Sequence, residues 1–141
     1  MELQQTATTP SRHRFSVGAV FAVYNVARYL PDLLASLERQ TLPIESVQLV
    51  FVDDGSTDGS LEILRHWAGT RAAHVVVVSQ TNAWVAAARN AGLQHVDAEW
   101  VTFADPDDVF DDRYFEEVVK FVGLHGAPRV GLLATHQLRL N

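Results

Sequence analysis

The sequence predicts an α/β fold: a doubly wound, mainly parallel sheet with helices on both faces. Three observations carry that expectation. Short, continuously apolar runs recur along the chain, as strands buried on both faces do. A single amphipathic helical segment separates each run from the next, which implies parallel strands joined by crossovers. Finally, the acidic and amide residues gather just after the strands rather than within them.

Each element has its own justification. Residues 1–14 (MELQQTATTPSRHR) are polar and punctuated by Pro10, so they are expected to form a disordered tail. Residues 17–24 (VGAVFAVY) form the first strand. Residues 29–40 place Leu30, Leu33, Leu34 and Leu37 at helical spacing, with Pro31 tolerable in the first turn. Residues 47–52 (VQLVFV) form the second strand. A helix over 58–67 follows, with Leu61, Leu64 and Trp67 on one face and Gly69 as its stop. Residues 74–79 (HVVVVS) and 99–104 are strands three and four, separated by an Ala-rich helix over 85–95. The segment 112–125 is amphipathic through Phe115, Val118, Val119 and Val122, and Gly126 and Pro128 end it. Residues 130–135 (VGLLAT) predict a fifth strand. No helix follows to cover that strand, so the chain reads as a piece of something longer.

The composition narrows the function classes. With 141 residues, the chain is one domain with room for a real core. Hydrophobic residues at 48% and charged residues at 20% are globular rather than disordered values. A net charge of −6 with no basic stripe argues against a nucleic-acid partner. Without cysteine there is no disulfide and no thiolate metal site. No apolar run is long enough to cross a bilayer, and no secretory signal opens the chain.

The polar residues then form a pattern. Asn25 follows strand one, Asp53 and Asp54 follow strand two, and Asp105, Asp107 and Asp108 follow strand four. Open α/β sheets bind ligands at the carboxyl ends of their strands, where the strand order reverses. In Asp53-Asp54-Gly55-Ser56-Thr57-Asp58, Gly55 supplies a positive φ, Ser56 or Thr57 caps the next helix, and Asp58 complements its dipole. Those roles leave the adjacent acids Asp53 and Asp54 unexplained. An EF-hand reading fails because Arg65 stands where a bidentate Glu is required. In Asp105-Pro106-Asp107-Asp108, no Lys or Arg lies nearer in sequence than Arg113, so the clustered charges call for a cation. Mg²⁺ or Mn²⁺, sharing its shell with substrate phosphates, would supply it. The histidines show no metal-ligand spacing, and no Gly-rich phosphate loop occurs.

Taken together, the segments 20–25 (VFAVYN), 51–58 (FVDDGSTD), Asn82 with 87–92 (AARNAG), and 105–108 (DPDD) resemble the inverting family-2-type nucleotide-sugar glycosyltransferases of the GT-A fold. The resemblance covers roughly residues 16–137. It implies that residues 15–141 are the nucleotide-sugar-binding part of such a domain. It also implies that Ala22 to Tyr24 lie against the nucleotide base, usually uracil, and that Asp53, or else Asp54, accepts from the base N–H. Arg89 would lie near the donor. Asp105 would be the first acid of a D-x-D motif, close to the ribose and the metal, and Asp107 would bind the metal. Asp108 has no assigned role. The implied partners are a UDP-sugar donor and a glycan or glycoconjugate acceptor, and the implied cofactor is Mn²⁺ or Mg²⁺. The implied setting is cytoplasmic, peripheral to the inner face of a membrane only through segments outside this chain.

Two positions depart from the family pattern. Ala22 stands where Pro is common, and Trp84 stands where Gly is usual. The indole either reshapes donor or acceptor preference or only packs against the sheet. The catalytic base of such enzymes is expected beyond Asn141, since Glu116 and Glu117 suit a solvated helix face. The rival readings are a nucleotide- and metal-binding module without transfer, and a signalling receiver domain. The second is disfavoured because the first strand ends in Tyr24-Asn25 rather than an acidic pair.

Overall fold

The computed structural model describes residues 12–71 and 74–125. Its elements are β1 (Phe15–Val23), α1 (Leu30–Glu38), a 3₁₀ turn (Ile44–Ser46), β2 (Val47–Asp53), α2 (Ser60–Gly69), β3 (Val75–Ser79), α3 (Trp84–Leu93), β4 (Ala98–Ala104) and α4 (Tyr114–His125). The expected strand over 130–135 and residues 1–11 of the expected tail lie outside the described residues.

The four strands pair in the order β3-β2-β1-β4, all in parallel. From β1 the chain winds outward through β2 to β3, then returns to lay β4 on the other side of β1. Right-handed crossovers run in opposite directions must place their helices on opposite faces. Phe21, Phe51, Leu33, Leu37, Leu64, Trp67 and Phe115 accordingly form one core, beneath α1, α2 and α4. Val20, Val50, Val52 and Ala88 form the other, beneath α3. Alternate residues of one strand feed both cores, which is why β1 and β2 read as unbroken apolar runs.

On the larger face the Phe21 and Phe51 rings stack at 4.6 Å, and Phe110 stacks on Phe115 at 5.3 Å. On the smaller face α3 lies close to the sheet because of Gly92. A Cβ there would stand 2.4 Å from Val20 Cγ1. No described helix is long and apolar enough to cross a membrane.

Most element boundaries shift by one or two residues from expectation. β1 stops at Val23 because Asn25 takes a φ of 51°, which turns the chain out of the sheet after Tyr24. β2 runs on through Asp53, whose backbone pairs with Val23 and whose carbonyl accepts from Gln80 N.

Candidate functional site

The strand order reverses between β1 and β4, with β2 on the other flank of β1. Three loops therefore leave the carboxyl edge of the sheet side by side. The first two are locked together. Asn25 Oδ1 accepts from the N–H groups of Thr57 and Asp58, at 2.7 and 3.2 Å, while Asn25 N–H donates to Ser56 Oγ at 3.0 Å. Val26 N–H donates to Ser60 Oγ, and Ala27 N–H donates to Asp58 Oδ2, each at 3.0 Å.

Asp58 also accepts from Ser60 N–H at 2.9 Å. This corrects the expectation that Ser56 or Thr57 caps α2, which begins only at Ser60. Ser56 is taken up by the neighbouring loop instead. Burial pulls the Asp58 carboxyl upward, but its bonds from Ser60 and Ala27 outweigh that and hold it below the usual carboxylate range.

Asp53 and Asp54 are both buried, 1% and 3% exposed, and they differ in partners. Asp54 Oδ1 accepts from Gln80 Nε2 and from Ala83 N–H, each at 2.8 Å, and so holds the β3–α3 loop. Asp54 N–H in turn donates to the Val23 carbonyl at 2.8 Å. Asp53 Oδ2 accepts one long bond from Ser56 N–H, at 3.3 Å, and its Oδ1 is buried with no donor. A buried carboxylate oxygen without a donor costs about 1–3 kcal/mol or more. Gly55 has a φ of 79°, and a Cβ on it would lie 2.9 Å from Asn82 N, so glycine is required for both reasons.

The loop that Asp54 holds leads straight into Trp84. That residue has a φ of 72° and is 80% exposed, so of the two alternatives for the indole, packing against the sheet is not the one the fold adopts. A bulky residue in the left-handed region is strained by about 1–3 kcal/mol. Among the described residues, nothing is seen to hold the indole in return.

The acidic segment after β4 is a turn closed by Asp108 N–H on the Asp105 carbonyl at 3.1 Å, with Pro106 at its second position. Asp105, Asp107 and Asp108 are all exposed. Burial, and then the charges of Asp105 and Asp107, push the Asp108 carboxyl above its usual range. The cation missing from the local sequence arrives from α3. Arg89 Nη2 lies 3.3 Å from Asp105 Oδ1, and its guanidinium sits over the Phe103 ring.

Among the described residues no group of three or more His, Cys, Asp or Glu could hold a metal ion by itself. The turn carries three exposed carboxylates, and one or two of them would suit a Mg²⁺ or Mn²⁺ ion whose remaining ligands come from phosphate.

The fold thus brings Asp53, Asp54 and Tyr24 to one edge, with Tyr24 half exposed. It joins Arg89 to Asp105. Ala22 lies opposite Val52 in the ladder and packs against the smaller core. Gln80 was not singled out from the sequence, although it is a polar residue directly after β3, the same signal that marked Asp53. His74 is buried at the amino end of β3 with both ring nitrogens unpartnered, and burial lowers its pKa. It lies at the amino edge of the sheet, opposite the carboxyl edge. His136 lies outside the described residues.

Residues 19–128 match the family model for glycosyl transferase family 2. The chain is 32% identical over 111 residues to the minor teichoic acid biosynthesis protein GgaB of Bacillus subtilis, covering 79% of this chain and 12% of that protein. It is 30% identical over 112 residues to the Staphylococcus aureus poly(ribitol-phosphate) β-N-acetylglucosaminyltransferase TarS, covering 79% and 19%. Residues 1–349 of S. aureus TarS, solved with UDP and with UDP-GlcNAc, superpose with a TM-score of 0.73 at 28% identity. That superposition covers 79% of this chain and about a third of the solved one. The mannosyltransferase PcManGT of Pyrobaculum calidifontis, solved with GDP-Man and Mn²⁺, gives a TM-score of 0.69 at 28% identity, covering 79% and 33%. With its motifs at the sheet edge and this match over most of its length, the chain belongs to glycosyl transferase family 2 and has the α/β fold of its GT-A members.

Proposed function

We propose that the chain is the donor-binding half of an inverting glycosyltransferase that takes a UDP-sugar to a glycan or glycoconjugate acceptor. The observation that carries this reading is the buried Asp53 carboxylate, whose Oδ1 has no donor at the carboxyl edge of the sheet. A pyrimidine N–H is a donor of the right kind for it. Tyr24, just after β1 and half exposed, offers a flat face for the same ring. The UDP complexes of TarS support the choice of nucleotide.

Asp107, with Asp105, would hold a divalent cation. When bound, such an ion neutralises the charge that develops on the departing diphosphate. Mn²⁺ in the mannosyltransferase structure supports its use. Arg89 steadies Asp105 and adds positive charge on the same side. The acceptor hydroxyl must lose its proton to a general base on the sugar face opposite the diphosphate, and in-line displacement then inverts the anomeric carbon. Glu116 is not offered as that base. It is engaged by Thr41 at 2.9 Å and by Arg113 and Lys120 on the outer side of α4. No general base is assigned among the described residues, and donor binding is the part of the reaction ascribed to them.

Calorimetric titration with UDP, with and without Mn²⁺, tests the reading. Saturable binding that Mn²⁺ strengthens in wild type but not in Asp107→Asn is the expected result. Folded protein that binds no nucleotide would sink it.

A further inference from the structure

Trp84 is the residue whose local structure the fold explains least. Its φ of 72° is a conformation that glycine takes freely and an indole does not. Its side chain is 80% exposed, and the next residue, Val85, is 53% exposed. No ring contact or hydrogen bond of the indole is found among the described residues. The folded chain thus holds a large apolar group in a strained backbone conformation while leaving most of its surface in water. Strain of this kind persists where the surroundings over-determine it, and it concentrates at ligand-binding positions.

The surroundings are well defined. Ala83 N–H is held by Asp54 Oδ1 at 2.8 Å, so the backbone leading into Trp84 is fixed. Asp54 N–H holds the carbonyl of Val23, the residue before Tyr24. Asn82, two residues before Trp84, closes on Gly55 so tightly that a Cβ there would lie 2.9 Å from its nitrogen. Trp84 and Tyr24, both exposed aromatics, therefore each follow a residue held by Asp54, Ala83 through its carboxylate and Val23 through its backbone N–H, and the orphaned Asp53 Oδ1 belongs to the residue beside it. The acidic turn of residues 105–108 follows β4, on the far side of β1 from β2. Trp84 opens α3, directly after the loop that Asp54 holds, whereas Arg89 of the same helix pairs with Asp105.

We propose that Trp84 is a specificity-determining wall of the donor site, contacting the flat face of the nucleobase whose edge Asp53 receives. This inference rests on the donor-site reading above. A planar heterocycle is the ligand these groups fit together: an edge donor for the buried acceptor, and aromatic surface for the face. Stacking of an aromatic side chain on a base is sequence-tolerant and strong enough to change affinity by an order of magnitude. The contact would offset the strain in the bound state, so the strain survives in the free protein.

The test compares wild type, Trp84→Gly and Trp84→Phe by thermal melting and by titration with uridine, UMP and UDP, the last with Mn²⁺. Trp84→Gly is expected to raise Tm by about 3 °C, because glycine relieves the positive φ. It should weaken all three ligands by the same factor, roughly tenfold. Trp84→Phe should fall between the two in affinity. The exposed indole's fluorescence should also be quenched and blue-shifted by uridine in wild type, a change that Trp84→Gly lacks.

A Trp84→Gly variant that binds uridine and UDP as wild type does would overturn the inference and leave the donor-site reading standing. A lowered Tm would also overturn it, since the side chain would then be serving the fold. Weakening confined to UDP-sugars, with uridine unaffected, would overturn the assignment to the base. If wild type binds no uridine nucleotide at all, the donor-site reading falls, and this inference with it.

Discussion

Two acidic clusters leave the same edge of the sheet, and they differ in almost every physical respect. Asp53 and Asp54 are buried, and Asp54 is spent on holding a neighbouring loop. Asp105, Asp107 and Asp108 are exposed, and the last is pushed toward protonation by burial and by the other two. The first cluster leaves one carboxylate oxygen, Asp53 Oδ1, without a donor. The second has an excess of like charge at an exposed turn. A buried carboxylate can be satisfied only by a group of fixed geometry, while an exposed cluster accepts whatever cation reaches it. The proposed function divides labour along the same line: one cluster would recognise, the other neutralise.

The largest expected effect would break the comparison within the first cluster. Asp54→Ala removes an acceptor from Gln80 and from Ala83 N–H and should lower stability by about 2–3 kcal/mol in urea melts. Asp53→Ala should change stability by less than about 1 kcal/mol, because only one long bond is lost and an orphaned oxygen goes with it. It should instead weaken UDP roughly tenfold in calorimetry, the loss of one hydrogen bond to a charged acceptor. Equal stability losses in the two variants would mean that both acids are architecture.

The second cluster is sharpened by Asp107→Asn. Stability should hold or rise slightly as repulsion is relieved, while the strengthening of UDP binding by Mn²⁺ should disappear. The smallest effect is in pH. The Asp108 carboxyl is raised, so its contribution to stability is complete in acid and fades as pH climbs through its folded-state value. The Asp58 carboxyl is lowered, so its contribution is present above the ordinary 3.8 and fades as pH drops. Urea melts from about pH 3 to pH 7 on Asp108→Asn and Asp58→Asn should each flatten one limb of the profile. A profile unchanged in either variant would show that the corresponding carboxyl titrates alike in folded and unfolded chains.

Much of the fold was legible in the sequence because hydrophobic period and strand–helix alternation are local properties. Phe21 and Val20 lie on opposite faces for no reason beyond their adjacency in one strand. The candidate residues were legible for a related reason: a parallel sheet places every strand's end at one edge, so position along each strand predicts proximity in space. Boundaries were less legible. The start of α2 moved because Ser56 finds its partner in Asn25, a residue 31 positions away. Arg89 answers Asp105 from another element, which no reading of the acidic segment alone would have shown.

The sequence by itself determined the layers, the parallel sense of pairing and which residues reach the carboxyl edge, since these follow from periodicity and from strand–helix alternation, whereas the strand order came from the structure. Only the tertiary structure decided how those residues are used. It assigned Asp54 to a loop, left one oxygen of Asp53 without a donor, and set Trp84 outward in a strained conformation. The physical reason is that burial and hydrogen-bond partnership depend on contacts between distant segments, and two adjacent identical side chains acquire different chemistry from them.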